Sequence, residues 1–570
     1  MVATYWAAYG VIGLLNISDF SIFLFRTLAL LVLLLAFFGW WLFQRGACRR
    51  ERWGLFGAMI ALGVVAMVLR HQSIVIPAVV FPVLQAVFTA WAGWLWFTQA
   101  KPARLRRTGM LAIAALAWAA TLLVRMDGLS GETSAVFHLR WTPSAEELYL
   151  VESKNPDAAG ETSSPPSPSA EPLVAKEGDW PTFRGGERDA TVTGVKIATD
   201  WNEHPPKQLW RRRIGPGWSS ITVVDDRLFT QEQRGDDEAV VCFDAATGEV
   251  IWSHEDDARF SETLGGDGPR ATPTFHDGMI YALGATGILN CLDATTGEVK
   301  WTRNIAKDSG AKTPDWGFTS SPLVIDARVI VFSGGNLETG GDPAKSLLAY
   351  DATTGEPQWQ ASGGSHSYSS AQRAEFGGVE QVLFLGDASL NAVDPANGTP
   401  LWQFAAGGEM GQPSIQPHPI NSSQLLVSFT PDGGTILLDV KRDGEAWKAD
   451  PAWIKKTLKP FFNDFVRHED ALYGFDRTIF CSVDLATGKL NWKGGRYGAG
   501  QVLLLADQGV LLVITEKGEA VLVAADPKEH RELGKFQAIE GKTWNHPTLV
   551  GDRLFVRNAE EMACYELKME

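Results

Sequence analysis

Seven short clusters of polar and aromatic residues stand out as groups that packing alone does not demand. They are Gln231-Glu232-Gln233-Arg234, Arg270 with Thr272, Trp316–Ser321, His366–Ser370 with Tyr368 inside it, Asn463-Asp464, Gly494–Gly498 with Arg496, and Trp544-Asn545-His546. Together they offer carboxylates, amides, guanidinium groups, imidazoles and indoles, the set from which a polar ligand site is built. The structural alternative is that these groups satisfy one another and ordered water. The 10 histidines show no metal-ligand spacing, and the 5 cysteines include no C-x-x-C, no C-x-x-C-H and no adjacent pair. A disulfide scaffold, a structural zinc site and covalent c-type haem are therefore excluded.

Placing these clusters requires the elements around them. Phe243-Asp244-Ala-Ala-Thr247-Gly248-Glu-Val-Ile-Trp252 returns as Leu292-Asp293-Ala-Thr-Thr296-Gly297-Glu-Val-Lys-Trp301. The same pattern recurs at Asp351/Gly355/Trp359, Asp394/Gly398/Trp402 and Asp484/Gly488/Trp492, and in degraded form at Asp439, Asp443-Gly444 and Trp447. Successive Asp spacings are 49, 58, 43, 45 and 45, and Asp526 follows 42 residues later. Each unit reads as a hairpin in which Asp starts a tight turn, Gly takes a positive φ and β-type residues lead to Trp. Two further strand patterns precede each hairpin, and four short strands per 40–50 residues is the signature of a propeller blade. Eight blades are expected. The last, Trp544–Val550, Arg553–Arg557 and Glu561–Leu567, lacks an outer strand, which Lys207–Arg213 with Trp210 is expected to supply. The clusters then fall at the entries of innermost strands, around an axial funnel. Cys242, Cys291, Cys481 and Cys564 fall on third strands and read as small buried hydrophobes.

Residues 1–125 differ in kind, with 11 Lys/Arg against Asp19 and Glu51, whereas the remainder holds 40 Lys/Arg against 64 Asp/Glu. An acidic bulk makes nucleic acid an unsuitable partner. Apolar runs at 23–43, 53–69, 74–97 and 110–124 predict a bundle of four membrane helices, with Ala3–Ile17 as a short fifth. Arg45, Arg49, Arg50 and Arg52 in the first loop and Lys101, Arg104, Arg106 and Arg107 in the third place those loops in the cytoplasm and all beyond Arg125 outside it. Trp40, Trp41, Trp94 and Trp96 read as interfacial anchors, Arg26 as snorkelling, and Cys48 as unmodified. Ser153–Lys176, with Ser163–Ser169 at its centre, reads as a semi-stiff spacer. The expected organisation is a membrane domain over 1–125, a juxtamembrane segment and linker over 126–176, and a propeller over 177–570.

The pattern Asp-x-x-Thr-Gly-x-x-x-Trp, as in Asp351 to Trp359, resembles the tryptophan-docking motif of pyrroloquinoline-quinone (PQQ) repeat propellers, the quinoprotein alcohol dehydrogenase-like superfamily. Asp179-Trp180-Pro-Thr-Phe183-Arg184-Gly185, Gly268-Pro-Arg270-Ala-Thr272-Pro273 and Arg557-Asn558-Ala-Glu-Glu561-Met562 are similar to members that join a small propeller to an N-terminal membrane bundle. The resemblance implies a structural role for the repeated Trp residues. It also implies, in the dehydrogenases, PQQ in the funnel, Ca2+ held by Glu, Asn and Asp oxygens, and an Asp base. Carried onto this chain, Asp464 is the candidate base and Glu232, Asn463 and Asn545 are the candidate Ca2+ ligands. Glu232, Arg234, Arg270, Thr272, Tyr368, Arg496, Trp544, Asn545 and His546 are the candidate cofactor-binding residues. Two functions follow as expectations. One is an extracytoplasmic binding or scaffold module on a bacterial inner membrane, its propeller in the periplasm, binding an envelope protein, glycan or small ligand without a cofactor. The other is a PQQ-dependent membrane dehydrogenase passing electrons from a sugar or alcohol to the quinone pool.

Overall fold

The computed structural model of the chain describes residues 2–14, 19–43, 49–129, 135–154, 173–334, 341–365, 367–387, 389–405, 413–429 and 433–570, with side chains described throughout except at 13–24 and 40–52. Cys48, His366 and the Pro-rich centre of the spacer lie outside the described residues, as do the side chains of Trp40 and Trp41. Two compact units result: Met1–Pro143 with the loop tip Thr263–Gly265, and Ser144–Glu262 with Gly266–Glu570.

Among its described residues the first unit contains five α-helices, α1 (Val2–Leu14), α2 (Asp19–Phe43), α3 (Arg49–Leu69), α4 (Ile76–Phe97) and α5 (Ala103–Ala120), followed by paired strands β1 (Val124–Leu129) and β2 (Ala135–Leu139). Phe37, Met59, Phe88, Trp91 and Met110 pack at the helix contacts. The Trp91 indole donates to the Met110 carbonyl at 2.8 Å, which satisfies a buried donor. Trp94 lies on Gly109 and donates to the Arg106 carbonyl at 3.0 Å, so it fastens α4 to α5. Trp96 is 67% exposed. Among the described residues one helix, Ile76–Phe97, is long and apolar enough to cross a membrane, whereas Val2–Ile12, Phe25–Gly39 and Trp53–Leu69 are shorter apolar stretches. The expected span 110–124 is corrected. Its helix begins at Ala103, ends at Ala120, and gives way to a 3-10 turn and a strand from Val124.

The second unit opens with α6 (Ala145–Lys154), within the expected juxtamembrane segment and reaching the start of the expected spacer. Ser144 and Glu147 form a reciprocal capping box, the Ser144 hydroxyl accepting from Glu147 N at 3.0 Å and the Glu147 carboxylate from Ser144 N at 2.7 Å. Glu146 then takes two hydrogen bonds from Arg259, at 2.9 and 3.0 Å, and one from Gly235 N, tying α6 to blade 1.

Eight blades follow, each built on four antiparallel strands as the repeat predicts, with a short fifth, parallel strand added to one of them. Their first strands are Thr222–Val224, Thr274–His276, Leu323–Ile325, Gln372–Phe376, His418–Asn421, Val466–His468, Gln501–Leu505 and Thr548–Val550. First strands of neighbouring blades touch one another, which makes them the inner ring. Lys207–Arg213 pairs antiparallel with Glu561–Glu566 and completes blade 8, so the ring closes without a free edge between its ends.

The repeated turn works as its residue types require. The Asp244 carboxylate accepts from the backbone N–H groups of Ala246 and Thr247 at 3.0 and 2.8 Å, and Gly248 follows at φ 71°. A Cβ on Gly248 would lie 2.8 Å from the Trp210 ring, and one on Gly355 would lie 2.7 Å from Trp301. Each turn glycine is therefore both a conformational need and a seat for the preceding blade's indole. That indole donates to a turn carbonyl of the next blade: Trp252 to Ala294 at 3.1 Å, Trp301 to Ala352 at 2.9 Å, Trp492 to Asp526 at 2.8 Å. Blade 5 departs from expectation. Its outer hairpin runs Thr435–Asp443 and Ala446–Lys455, so Trp447 sits near the tip beside Arg442. Trp453 takes the docking place, on Gly488 and donating to Leu485 O at 2.9 Å. The four cysteines of the propeller are free and buried, as read from the sequence.

Candidate functional site at the propeller axis and mouth

The segment before blade 1 crosses the axis. Trp180 exchanges two backbone hydrogen bonds of 2.9 Å with Val223 of blade 1, Pro181 accepts from Phe275 N of blade 2, and Thr191–Val192 add a parallel strand to blade 7. Between these anchors Arg184, Arg188 and Ala190 adopt φ of 65°, 58° and 61°, a left-handed backbone that non-glycine residues adopt only where surroundings impose it. The two guanidinium groups are carried into the interior. Arg184 is fully buried and donates to Asp464 at 2.8 Å and to the Phe465 carbonyl at 2.7 Å. Arg188 donates to the carbonyls of Pro322 and Ser321 at 3.0 and 3.1 Å, and burial pulls it down to about 9.

Asp464 is consequently spoken for. Its second oxygen lies 2.6 Å from His418 Nε2 and accepts from Phe465 N at 2.9 Å. Burial works against its charge, but Arg184 and His418 outweigh that and hold it at about 2. A carboxylate this acidic, with both oxygens engaged, is a poor proton acceptor near neutral pH, so the geometry does not support Asp464 as a general base.

The candidate cation ligands are not gathered either. Both Glu232 oxygens are used, one accepting from Tyr149 of α6 and from Arg234 at 2.7 Å each, the other from Gly215 N at 3.1 Å. Asn463 builds its own loop, accepting from Phe461 N and donating to Arg477 O. Asn545 donates to Ser219 O at 2.8 Å, while its buried oxygen has no partner. No cluster of three or more His, Cys, Asp or Glu suited to a metal occurs among the described residues. The side chains expected to hold PQQ with Ca2+ therefore do not fit that role.

Several of the other candidates prove to be architecture. His546 N donates to Ser220 Oγ, Ser220 N to Thr272 Oγ1, Thr272 N to Ser321 Oγ and Ser321 N to Ser370 Oγ, all at 2.9–3.0 Å. This belt of hydroxyls links the inner-strand entries of blades 8, 1, 2, 3 and 4. His546 is walled in between the carbonyls of Pro547 and Val502, and burial with the nearby Arg184 charge pushes it down to about 4. Arg557 is buried where blade 8 meets blade 1, donating to Thr230 and to the carbonyls of Gln231 and Gly217. Arg234 also reaches Glu255 at 3.0 Å. Arg270 is bound by Glu262 at 3.1 Å and by the Gly266 and Gly268 carbonyls.

What remains lies at the mouth of the axis, in the loops that precede the inner strands. Tyr368 packs on Trp316 at 4.7 Å, Trp316 on Phe461 at 6.0 Å, Phe461 on Phe462 at 5.2 Å, Phe462 on Trp544 at 4.8 Å and Trp544 on Trp218 at 4.9 Å between centroids. Five blades thus contribute one continuous aromatic chain, reaching from blade 3 to blade 6 and on to blade 1. Its rings are half-buried, with Phe461 40% exposed, and only Tyr368 is buried outright. Lys542 Nζ lies 4.3 Å from the Trp544 centroid and 5.0 Å from that of Trp218. The Trp544 indole donates to Glu516 at 3.0 Å. Burial pulls Lys542 down to about 8, with Glu262 and Glu516 opposing. Arg496 is exposed. Trp544, Tyr368 and Trp316 were legible as mouth residues from their place before inner strands. Trp218, Phe461, Phe462 and Lys542 were not, because no polar cluster flagged them, and neither was His418. A separate cavity of about 920 Å3 lies where inner strands of blades 2–4 run to their far ends, lined there by Asp277, Gly278 and Glu375 and by Thr182 and Arg188 of the crossing segment.

The chain is similar in sequence and fold to known proteins. Tetrathionate hydrolase of Acidithiobacillus ferrooxidans is 23% identical over 232 residues, 38% of this chain, and the match spans 43% of that enzyme's length, less than half. Outer membrane protein assembly factor BamB of Burkholderia pseudomallei is 22% identical over 390 residues, 62% of this chain and 90% of that protein. Among solved structures, quinohemoprotein alcohol dehydrogenase from Comamonas testosteroni superposes with a TM-score of 0.52 at 16% identity, covering 70% of this chain and 81% of that one, a likeness of fold alone. A family model described as outer membrane protein assembly factor BamB matches residues 197–344 and 261–494. With its eight docked blades and that match over more than half its length, the chain belongs to the PQQ-repeat propeller family that this description names.

Proposed function

We propose that this protein is a membrane-anchored, extracytoplasmic binding module whose propeller presents the mouth of its axis to a protein partner. The observation that carries this reading is the engagement of Asp464 by Arg184 and His418, which takes up the carboxylate that the resemblance put forward as a base. The half-exposed aromatic chain beside it is surface that a partner would cover. Kinship with an assembly factor supports a scaffold role. Membrane anchoring is supported by α4, by exposed apolar residues such as Leu35, Val68 and Leu116 on the helices, and by the Arg-rich first and third loops. Calorimetric titration of the detergent-solubilised full chain with PQQ and Ca2+ tests the choice of function. No saturable binding at high micromolar PQQ is expected. Stoichiometric binding, lost in Asp464→Asn, would overturn the reading in favour of a quinoprotein dehydrogenase.

A further inference from the structure

Trp218 and Trp544 come from loops of blades 1 and 8, the two blades that close the ring. Their indoles are inclined by 34° with centroids 4.9 Å apart, and the ammonium of Lys542 is set against both. Ring faces attract cations because their quadrupole presents negative charge. The carboxylate of Glu516 is locked in place by the Trp544 indole and by Ala499 N at 3.2 Å. Glu516, Glu262 and Glu560 act on the Lys542 position, with Arg270 opposing, so the field there apart from the lysine itself is acidic. The same sign holds at long range, since residues 126–570 carry 40 Lys/Arg against 64 Asp/Glu. Lys542 thus occupies this place as a ligand cation would.

We infer that the Trp218–Trp544–Glu516 corner is a cation cage for a lysine or arginine side chain of a basic partner segment, and that Lys542 is its internal surrogate, displaced when the partner docks. This rests on the binding-module reading and names the chemistry of the partner. The neighbouring rings of Phe462 and Phe461 extend the cage along the mouth and give the apolar stems of such a segment a surface to lie on.

Anisotropy titration of the full chain with fluorescein-labelled hexalysine, in 150 mM salt so that diffuse attraction is screened, tests the inference. Hexaglutamate and maltoheptaose serve as the other probes. Saturable hexalysine binding is expected, tightened about 3- to 10-fold in Lys542→Ala and weakened about 10-fold in Trp218→Ala, with Trp544→Phe falling between because it keeps an aromatic face. Hexalysine binding that ignores all three substitutions would be charge alone and would overturn the cage. So would no binding in either the native chain or Lys542→Ala, or preferential binding of hexaglutamate or maltoheptaose. Those outcomes leave the PQQ titration to judge the module reading separately.

Discussion

The axis of the propeller and its mouth use the same residue types to opposite ends. Within the axis, the charges brought in are met at hydrogen-bond distance, Arg184 by Asp464, which His418 also engages, and Arg188 by backbone carbonyls. At the mouth, a few ångströms along the same loops, aromatic rings stack on each other, remain half-exposed and hold one lysine against their faces. Buried polar groups must be paired or the fold pays their desolvation, so a satisfied interior is what stability alone would produce. Stability does not require indoles left at a solvent-facing rim. The contrast teaches that polar richness marks the architecture of this ring, and that its functional surface is aromatic.

Arg184→Ala should break the axial side of this contrast most severely. It leaves Asp464 buried without its guanidinium, a loss of about 3–5 kcal/mol, whereas Lys542→Ala at the mouth should cost under about 0.5 kcal/mol. Urea midpoints of the two variants measure the gap, and equal midpoints would erase the distinction. Acid should act on the axis next. Folded His546 takes its proton only near pH 4, against about 6.5 when unfolded, so its contribution is complete above pH 6.5 and is lost as pH falls toward 4. That loss is on the order of 3 kcal/mol. Asp464, at about 2 when folded against 3.8 unfolded, contributes fully above pH 4 and extends the loss down to pH 2. An unfolding midpoint that stays level between pH 6.5 and 4.5 would contradict this assignment.

A third pair of substitutions separates strain from docking. Gly355→Ala meets both a φ of 74° and the Trp301 ring, whereas Gly444→Ala meets a φ of 61° and open space. The first should cost about 2–4 kcal/mol and the second about 1 kcal/mol, both read from thermal midpoints. A small stability effect is also expected for Trp544→Ala at the mouth, about 1 kcal/mol or less. Hydrogen exchange of the blade cores should be unchanged in that variant, and faster exchange there would mean the rim is part of the scaffold after all.

Much of this fold is legible residue by residue. Asp244, Thr247 and Gly248 build their turn from neighbours within five positions, and where successive units repeat the turn together with its Trp, neighbouring blades meet by the same docking contact. The closing strand was readable for the same reason, since Trp210 matches the repeated Trp and blade 8 was one strand short. Blade 5 misleads because Asp443-Gly444 turns the chain farther out, and Trp447 imitates a docking residue that the longer hairpin places at Trp453. The site was harder. Thr272, Asn545 and His546 were read as ligand candidates, yet they pair with Ser321, Ser219, Ser220 and Val502 from other blades. A buried polar residue and a ligand-binding one look alike until the partner is known.

By itself, then, the sequence determined the blade, its repeat number and the division between apolar N-terminal helices and acidic propeller, because these rest on local turn chemistry or on composition, and it signalled the closing strand only because the repeat left blade 8 one strand short. The tertiary structure decided which groups are spent and which are available. Arg184 reaches Asp464 across 280 positions, and Trp218 reaches Trp544 only because the ring brings its two ends together. Such pairings are set by closure of the whole ring, a long-range geometry that no local pattern of residues encodes.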